Sequence, residues 1–267
     1  MERKVETYFE NGADIPDRTI DELLSKARSR LAPALARIRR PIARMAVIDS
    51  TIGRLLAAQS TRGLLALHFM DSDDTADLIK AIRQRFDVVE DDALGAEIGK
   101  EIERLMQGDS GPIGARNVDL SLVQSDFQRR ALKRLRQVPA GSVISYQGLA
   151  AAIGMPSSQR AIGNTVASNP LPIYVPCHRV IRSDGSLGNY GGGPERKLKL
   201  LRAEGFGVDA DRRVPSGAVY GHWTSRIFCR PTCSAVRRAD RRKWLIFADP
   251  ERARRFGMRA CKLCRPA

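Results

Sequence analysis

Four of the five cysteines form two close pairs near the end of the 267-residue sequence. Cys229 and Cys233 are followed, after 27 intervening residues, by Cys261 and Cys264. Two pairs joined by one loop can supply the four thiolates of a tetrahedral Zn²⁺ site. Residues 216–267 are too few to fold well on a hydrophobic core alone, so a bound metal would stabilise them. We therefore predict a small zinc domain over residues 216–267, folded as a separate module.

The positive charge of the chain is concentrated in its second half. Residues 1–119 carry 18 Lys/Arg and 21 Asp/Glu, whereas residues 120–267 carry 27 and 9, within a net charge of +15. A basic half is typical of a protein with an anionic partner, nucleic acid first and a membrane surface second. The sequence shows no run of 18 apolar residues and no signal-peptide core. We therefore expect a cytoplasmic protein without a membrane span.

The patterns along the chain predict a mixed α+β protein in four parts. Residues 1–44 read as a helical extension with apolar residues at helical spacing. Residues 45–116 contain three short apolar runs, typical of an antiparallel meander, and then two helices over 74–86 and 97–106. A glycine-containing linker at 108–117 leads to a mostly helical domain over residues 121–206. There, helices over 145–153 and 157–168 predict a helix-turn-helix, and an apolar strand is expected at 173–176.

Cys177 follows that strand in the sequence Pro-Cys-His-Arg. A nucleophilic cysteine needs a base, a cation or a helix N-terminus to stabilise its thiolate, and His178 and Arg179 are close in sequence. A lone Cys–His pair, however, is more often a buried structural cysteine beside an incidental histidine. The pair by itself leaves both interpretations open.

The wider sequence contains a series of short motifs around this pair: SYQGLA at 145–150, RAIGN at 160–164, NP at 169–170, PCHRVI at 176–181, GNYGGG at 188–193 and LLRAEG at 200–205. In their order and spacing these motifs resemble the O6-alkylguanine-DNA alkyltransferases, and the resemblance covers about residues 45–206. It implies a small RNase H-like β/α N-terminal domain, followed by a helical, winged helix-turn-helix-like alkyltransferase domain. The implied activity is that of a methylated-DNA–protein-cysteine S-methyltransferase that reacts once per molecule.

The same resemblance implies a role for each matching residue. Cys177 would accept an alkyl group from O6-alkylguanine, with O4-alkylthymine as a further candidate lesion, and His178 and Glu204 would form the relay that makes the thiolate. Tyr146 would help to move charge off the leaving guanine, and Asn169 would tie the helix-turn-helix to the active-site turn.

The implied partner is double-stranded DNA. A helix that reads the degenerate minor groove would bind with little sequence specificity, and the target base must be flipped out of the stack before it can react. We expect the protein to act as a monomer. The implied DNA contacts are Arg160, which would take the place of the flipped base, and Gln147, Ser157, Ala161 and Asn164.

The segments around the tail cysteines are GAVY at 217–220, TSRIFCRPTC at 224–233 and CKLCRP at 261–266. With these segments residues 216–267 resemble the zinc domain of the Ada-type adaptive response proteins. It implies that zinc-bound Cys229 is a second acceptor, which takes a methyl group from a methyl phosphotriester in the DNA backbone. Three departures leave this open: the domain order is reversed, the segment before Cys229 is short, and Arg226 stands where the family usually has glycine.

Two alternatives stand beside this interpretation. The first is a non-catalytic DNA-binding damage sensor or a transcriptional regulator of the alkylation response. The presence of Cys177, with His178 and Glu204 in register, counts against such a sensor. The second concerns the tail alone, where residues 207–267 carry 15 Lys/Arg and 5 Asp/Glu. A basic zinc module of that charge could grip DNA without reacting with it.

Overall fold

The computed structural model describes residues 17–38, 40–72, 74–238 and 244–266. The chain divides into two compact units, Met1–Pro41 and Ile42–Ala267. In the first unit the described element is helix α1, Asp17–Ile38, as the helical periodicity predicts. The rest of the predicted extension before residue 17 lies outside the described residues.

The second unit begins with a four-stranded sheet in the order β3-β2-β1-β4. Strands β1 (Ile42–Ser50), β2 (Gly53–Ser60) and β3 (Gly63–Phe69) form the predicted antiparallel meander. Strand β4 (Asp87–Glu90) pairs in parallel with β1 and was not predicted, because its apolar run is too short to stand out. Strand β1 begins before residue 45, the predicted start of this domain, because the buried Ala43 already belongs to its inward face.

Helix α2 (Thr75–Arg83) and helix α3 (Asp92–Met106) pack against this sheet. Helix α3 begins five residues before its predicted start at 97, because the Asp91 side chain accepts a hydrogen bond from Leu94 N (3.0 Å) and caps the helix there. Its buried residues recur every three or four positions and pack into the same core as strands β1 to β3. They include Leu94, Ile98, Ile102 and Leu105.

The following part is mostly helical, as predicted. It contains α4 (Gly111–Ala115), within the predicted linker, then α5 (Asp126–Leu135), α6 (Tyr146–Ala152), α7 (Gln159–Ala167) and α8 (Pro194–Ala203). Helices α6 and α7 are the predicted helix-turn-helix, and Gly154 in their turn has φ 78°, which favours glycine. None of the described helices is both long and apolar enough to cross a membrane.

The predicted strand at 173–176 is wrong. These residues form a tight buried turn in which Val175 N donates to Leu171 O (2.8 Å), and Ile173 has φ 75°. Pro172 and Pro176 flank the turn and have no N–H groups for a strand ladder. The apolar composition therefore reflects burial of the turn, and the strand β6 (Val180–Ile181) follows Cys177 rather than preceding it.

The tail does not form the separate module predicted for residues 216–267. Strands β7 (Val219–His222), β8 (Ile227–Cys229), β9 (Trp244–Phe247) and β10 (Arg259–Ala260) continue the sheet of β5 (Ser142–Ser145) and β6, in the order β10-β8-β7-β9-β5-β6. The short helices α9 (Ser234–Arg238) and α10 (Pro250–Arg255) complete the tail. All four residues of β9 are buried, so its main-chain N–H and C=O groups require partners within the protein. The strand pairs with β7 on one edge and with β5 on the other.

Candidate active site and metal centre

Cys177 is the first residue of a 3-10 turn, Cys177–Arg179, that follows the buried turn at 171–176. It is 5% exposed, and its N–H donates to Val175 O (2.8 Å). The side chain lines a cavity of about 240 Å³ together with Asn169 and Tyr190. The cavity also touches the end of α7, so the helix-turn-helix and the candidate nucleophile share one pocket.

Burial raises the pKa of the Cys177 thiol. The Asn169 side chain, the charge on Lys197 and the Tyr190 hydroxyl act in the opposite direction without cancelling it. The resting group is therefore a protonated thiol, and a nucleophilic thiolate requires a base that removes its proton.

His178, the next residue along the chain, is the candidate for that base. It is fully buried, its Nε2 lies 2.9 Å from Glu204 Oε1, and its Nδ1 has no hydrogen-bond partner among the described residues. Burial lowers the pKa of His178 against the pull of Glu204, so the imidazole is neutral at pH 7. Because an ionised carboxylate only accepts hydrogen bonds, Nε2 carries the proton and Nδ1 is the basic atom.

The charge on Glu204 is held by two neighbours. Burial opposes ionisation, but Arg179 and His178 together bring the pKa of Glu204 down to about 2. Arg179 donates from Nε (2.8 Å) and Nη2 (2.6 Å) to the two carboxylate oxygens, and its Nη1 donates to Val138 O. Glu204 is 4% exposed and is the C-cap residue of α8. The structure thus brings His178 and Glu204 together in the segment that begins at Cys177.

Asn169 and Tyr146 both lie close to the turn that contains Cys177. Asn169 Nδ2 donates to Val175 O (2.8 Å) and its Oδ1 accepts from Leu171 N (3.1 Å), so the residue after α7 holds the turn that precedes Cys177. Tyr146 begins α6, and both burial and the proximity of Cys177 raise the pKa of its phenol. Its hydroxyl therefore keeps its proton at neutral pH and can act as a donor.

Two site residues carry no predicted role. The Tyr190 hydroxyl is buried beside Cys177 with no hydrogen-bond partner among the described residues, and burial raises the pKa of this phenol well above its ordinary value. Lys197 is 1% exposed; its Nζ donates to Val180 O (2.6 Å) and Leu187 O, and burial lowers its pKa to about 8. The signal for Lys197 was available in the sequence, since it lies among the apolar positions of the buried face of α8.

Most of the predicted DNA contacts lie on α7 or directly before it. Arg160, Ala161 and Asn164 lie on the exposed face of α7, one turn of helix long, and Ser157 is exposed just before it. Gln147, in α6, is half-buried. The opposite side of α7 is anchored in the protein by the buried Ile162 and Thr165, so the helix is held in place without bound nucleic acid.

The four tail cysteines form the second constellation. Their Sγ atoms all lie within 4.8 Å of one another, and three of the four residues are buried. Parallel pairing of β8 with β10 brings the two cysteine pairs together, since Cys229 ends β8 and Cys261 follows β10. A Zn–S distance of about 2.3 Å requires sulfur atoms about 3.8 Å apart in a regular tetrahedron, so one Zn²⁺ fits this cluster.

The thiols of this cluster differ in acidity. Burial and the neighbouring thiols raise the pKa of Cys229, whereas the main-chain N–H of Cys264 lowers the pKa of Cys261 to about 7. Metal binding would convert all of them to thiolates, because the positive ion replaces the protons. Arg230 N also donates to Cys264 Sγ (3.4 Å), a hydrogen bond to sulfur that suits a metal-bound thiolate.

Arg226, the departure from the Ada-type pattern, has a structural explanation. It has φ 56° in the turn between β7 and β8, the left-handed conformation in which glycine is favoured. Its guanidinium lies over the Phe256 ring (4.4 Å) and donates to Phe256 O. These contacts give the arginine at this position a packing role that glycine would lack.

Two family models match the chain in sequence order. Residues 126–206 match the 6-O-methylguanine DNA methyltransferase DNA binding domain, and residues 207–267 match the metal binding domain of Ada. The chain is 34% identical over 158 residues to the methylated-DNA–protein-cysteine methyltransferase of Methanosarcina barkeri, covering 59% of this chain and 94% of that protein.

Other relatives are longer than the region that they share with the chain. The bifunctional transcriptional activator/DNA repair enzyme Ada of Escherichia coli is 37% identical over 164 residues, 60% of this chain and 45% of that protein. The chain likewise spans about half the length of the rat methyltransferase, 51%. Among solved structures, Mycobacterium tuberculosis OGT in complex with DNA has a TM-score of 0.50 at 32% identity, covering 60% of this chain and 92% of that one.

Proposed function

Because the chain belongs to the methylated-DNA–protein-cysteine methyltransferase family, we propose that it repairs DNA by moving an alkyl group from O6-alkylguanine to Cys177. The observation that carries the proposal is the buried array of Cys177, His178, Glu204 and Arg179. In this array the Glu204 carboxylate fixes a neutral imidazole, and the basic Nδ1 of that imidazole has no hydrogen-bond partner among the described residues. A non-catalytic damage sensor has no use for such an array beside a cysteine.

The reaction is an in-line displacement. His178 Nδ1 removes the Cys177 proton, directly or through a water, and the thiolate forms a bond to the alkyl carbon as the bond from that carbon to O6 breaks. The electron pair of the broken bond passes into the purine, which takes up a proton as it leaves, with the Tyr146 hydroxyl as the candidate donor. Glu204 stabilises the imidazolium formed on the way. The thioether product is not hydrolysed, so each molecule reacts once.

Double-stranded DNA is the proposed partner, bound as a monomer through the exposed face of α7 in the minor groove. The target oxygen lies inside the base stack, so the base must be flipped into the pocket that contains Cys177. Shape-based contact with the minor groove gives little sequence preference, which suits a search for damage at any site. The net positive charge of residues 120–267 favours the phosphate backbone.

The proposed function is tested by the stoichiometry of transfer. The protein is mixed with duplex DNA that carries O6-methylguanine with a labelled methyl group, and the label bound to protein is counted. We expect covalent label that rises to one methyl group per chain and stops, with unmodified guanine left in the DNA. Binding of the lesion with no covalent label would instead support a damage sensor.

Replacing Arg160 should separate base flipping from chemistry. Arg160→Ala removes the side chain proposed to fill the space of the extruded guanine, so part of the few kcal/mol of unstacking energy is no longer offset. We expect transfer from duplex DNA to slow by about 10-fold or more, with reaction of free O6-benzylguanine nearly unchanged. Arg202→Ala, at an exposed arginine of α8, is the matched control. Equal slowing with both substrates would exclude the intercalating role.

A second transfer, to Cys229, is proposed from the surface beside the metal centre. Cys229 lines a cavity of about 460 Å³ together with Arg259 and Lys262, two cations suited to a DNA backbone phosphate. One Zn²⁺ held by the four tail cysteines would keep Cys229 as a thiolate. Attack of that thiolate on the methyl carbon of a phosphotriester forms the S–C bond and releases a phosphodiester anion.

The second transfer can be detected separately from the first. Duplex DNA that bears labelled methyl phosphotriesters but no O6-methylguanine should label Cys229, and this label should persist in Cys177→Ala because the two acceptors are different residues. The readout is the labelled peptide, with O6-methylguanine DNA as the control that labels Cys177. If the chain binds one zinc but Cys229 stays unmodified, the tail binds DNA without reacting with it. Its signature would then be a steeper fall of DNA affinity with rising salt concentration.

A further inference from the structure

The tail contributes a strand to the sheet beside the candidate active site. Strand β9 pairs antiparallel with β5, with Ser142 opposite Phe247 and Ile144 opposite Leu245. On its other edge β5 pairs with β6, which directly follows the turn that contains Cys177. The metal-binding tail is thus one strand away from the segment that leaves the active site.

A single side chain of the tail reaches further, to the relay itself. Arg252, in helix α10, donates from Nη1 to the main-chain oxygen of Glu204 (3.1 Å). It also fills the space next to Gly141 and Gly205, both with φ 72°, so that a Cβ on either glycine would overlap its side chain. Asp249 fixes Arg252 in turn, since it accepts from Arg252 N (2.8 Å) and pairs with Nε (3.3 Å).

The position of this hydrogen bond matters because Glu204 lies at the end of a helix. The carbonyl groups of the last helical turn have no partner within the helix, so the backbone there is held by other groups. In Glu204 the carbonyl binds Arg252 while the carboxylate binds His178 and Arg179. Fixing the backbone of this residue therefore fixes where its carboxylate meets the imidazole.

We propose that Arg252 is a positioning residue for the alkyl-transfer centre, through which the metal-binding tail holds Glu204 against His178. The proposal rests on the proposed function of Cys177. Arg252 contacts the main chain of Glu204, whereas His178 contacts its carboxylate, so Arg252 would act on the imidazole through Glu204. The charged groups that act on His178 itself are Glu204, Arg179 and Lys197.

The test compares Arg252→Ala with Arg252→Lys and with Arg255→Ala. Lysine can still donate one hydrogen bond to Glu204 O. Arg255 lies in the same helix and forms an exposed pair with Glu251, which makes it the matched control. Single-turnover rate constants are measured across pH at saturating substrate, with O6-methylguanine duplex and with free O6-benzylguanine. DNA affinity, zinc content and melting temperature are measured on the same samples.

We expect Arg252→Ala to slow transfer about 10-fold with both substrates, because the relay is displaced by a fraction of an ångström, with DNA affinity and zinc content unchanged. The acid limb of its pH–rate profile should move to lower pH, since Glu204 raises the pKa of His178 and would now lie farther from it. Arg252→Lys should recover most of the rate, and Arg255→Ala should match the unsubstituted protein.

Three results would overturn the proposal. If Arg252→Ala lowers only zinc content or melting temperature and keeps the original rate and pH profile, Arg252 is an anchor of the tail. If it slows reaction with duplex DNA alone, Arg252 is a DNA contact. If Arg252→Ala fails to fold, an Arg252→Lys variant with an unchanged rate and pH profile but a lower melting temperature would also exclude a positioning role. Failure of the proposed function would be distinct, since the unsubstituted chain would then transfer no alkyl group.

Discussion

Replacing Cys177 with alanine is expected to abolish removal of the O6 alkyl group. No other cysteine lines the described cavity that contains Cys177, so no thiol can take its place there. Affinity for duplex DNA should stay within about 2-fold, because a buried thiol makes no phosphate contact. The measurement is loss of O6-methylguanine from a defined duplex, with DNA binding followed in parallel.

Cys177→Ser is the matched variant, since it keeps the size and hydrogen bonding of the side chain. A hydroxyl is a far weaker acid than a thiol, so the same relay cannot ionise it and transfer should again be absent. If either variant still removes the O6 methyl group, Cys177 is not the acceptor.

The second large effect is expected for Glu204→Gln. Glutamine keeps the shape of the side chain but cannot stabilise the imidazolium that forms on His178, so we expect transfer to slow by about 100-fold or more. Arg179 would also lose its buried partner, at a cost of roughly 3–5 kcal/mol in the free energy of unfolding. Rates are therefore measured below the melting temperature of the variant, with circular dichroism as the check that it is folded.

The pH dependence of stability gives a separate signature of the Glu204 charge. The pKa of this carboxyl is lowered from 4.5 to about 2, so its contribution is complete above pH 4.5 and is lost as the pH falls toward 2. The stability difference between the unsubstituted protein and Glu204→Gln should therefore shrink over that interval. Glu195, in the first turn of the same helix as Glu204, is exposed and pairs with Arg212. Glu195→Gln should therefore change neither the transfer rate nor the pH dependence of stability. A loss of activity similar to that of Glu204→Gln would contradict the role assigned to Glu204.

Local pattern was enough to predict the elements whose burial is periodic. The meander of β1 to β3 and the pair α6 and α7 follow from apolar spacing and turn residues, and both are present. The buried turn at 171–176 was mistaken for a strand because composition reports burial and not backbone direction. Ile173 has a positive φ within this turn, which Asn169 bonds on both sides at Leu171 N and Val175 O, and no local rule anticipates that conformation.

The candidate site was predictable only in part for a similar reason. Cys177, His178 and the four tail cysteines are visible as motifs, and Glu204 entered through the family resemblance. Tyr190, Lys197 and Arg252 act through contacts between segments distant in sequence. The pairing of β9 with β5 joins residues about a hundred positions apart, so the sequence suggested two separate modules where the structure has one sheet.

Alkyl transfer to Cys177 is tested most directly by mapping the residue that receives the alkyl group. Duplex DNA with labelled methyl groups on O6 of guanine is incubated with the protein. The protein is then digested, and the mass of each cysteine-containing peptide is measured. We expect one added methyl group on the peptide that contains Cys177, at up to one per chain, with the cysteines at 229, 233, 261 and 264 unmodified by this substrate. Label on any other residue, or lesion binding with Cys177 unmodified, would contradict it.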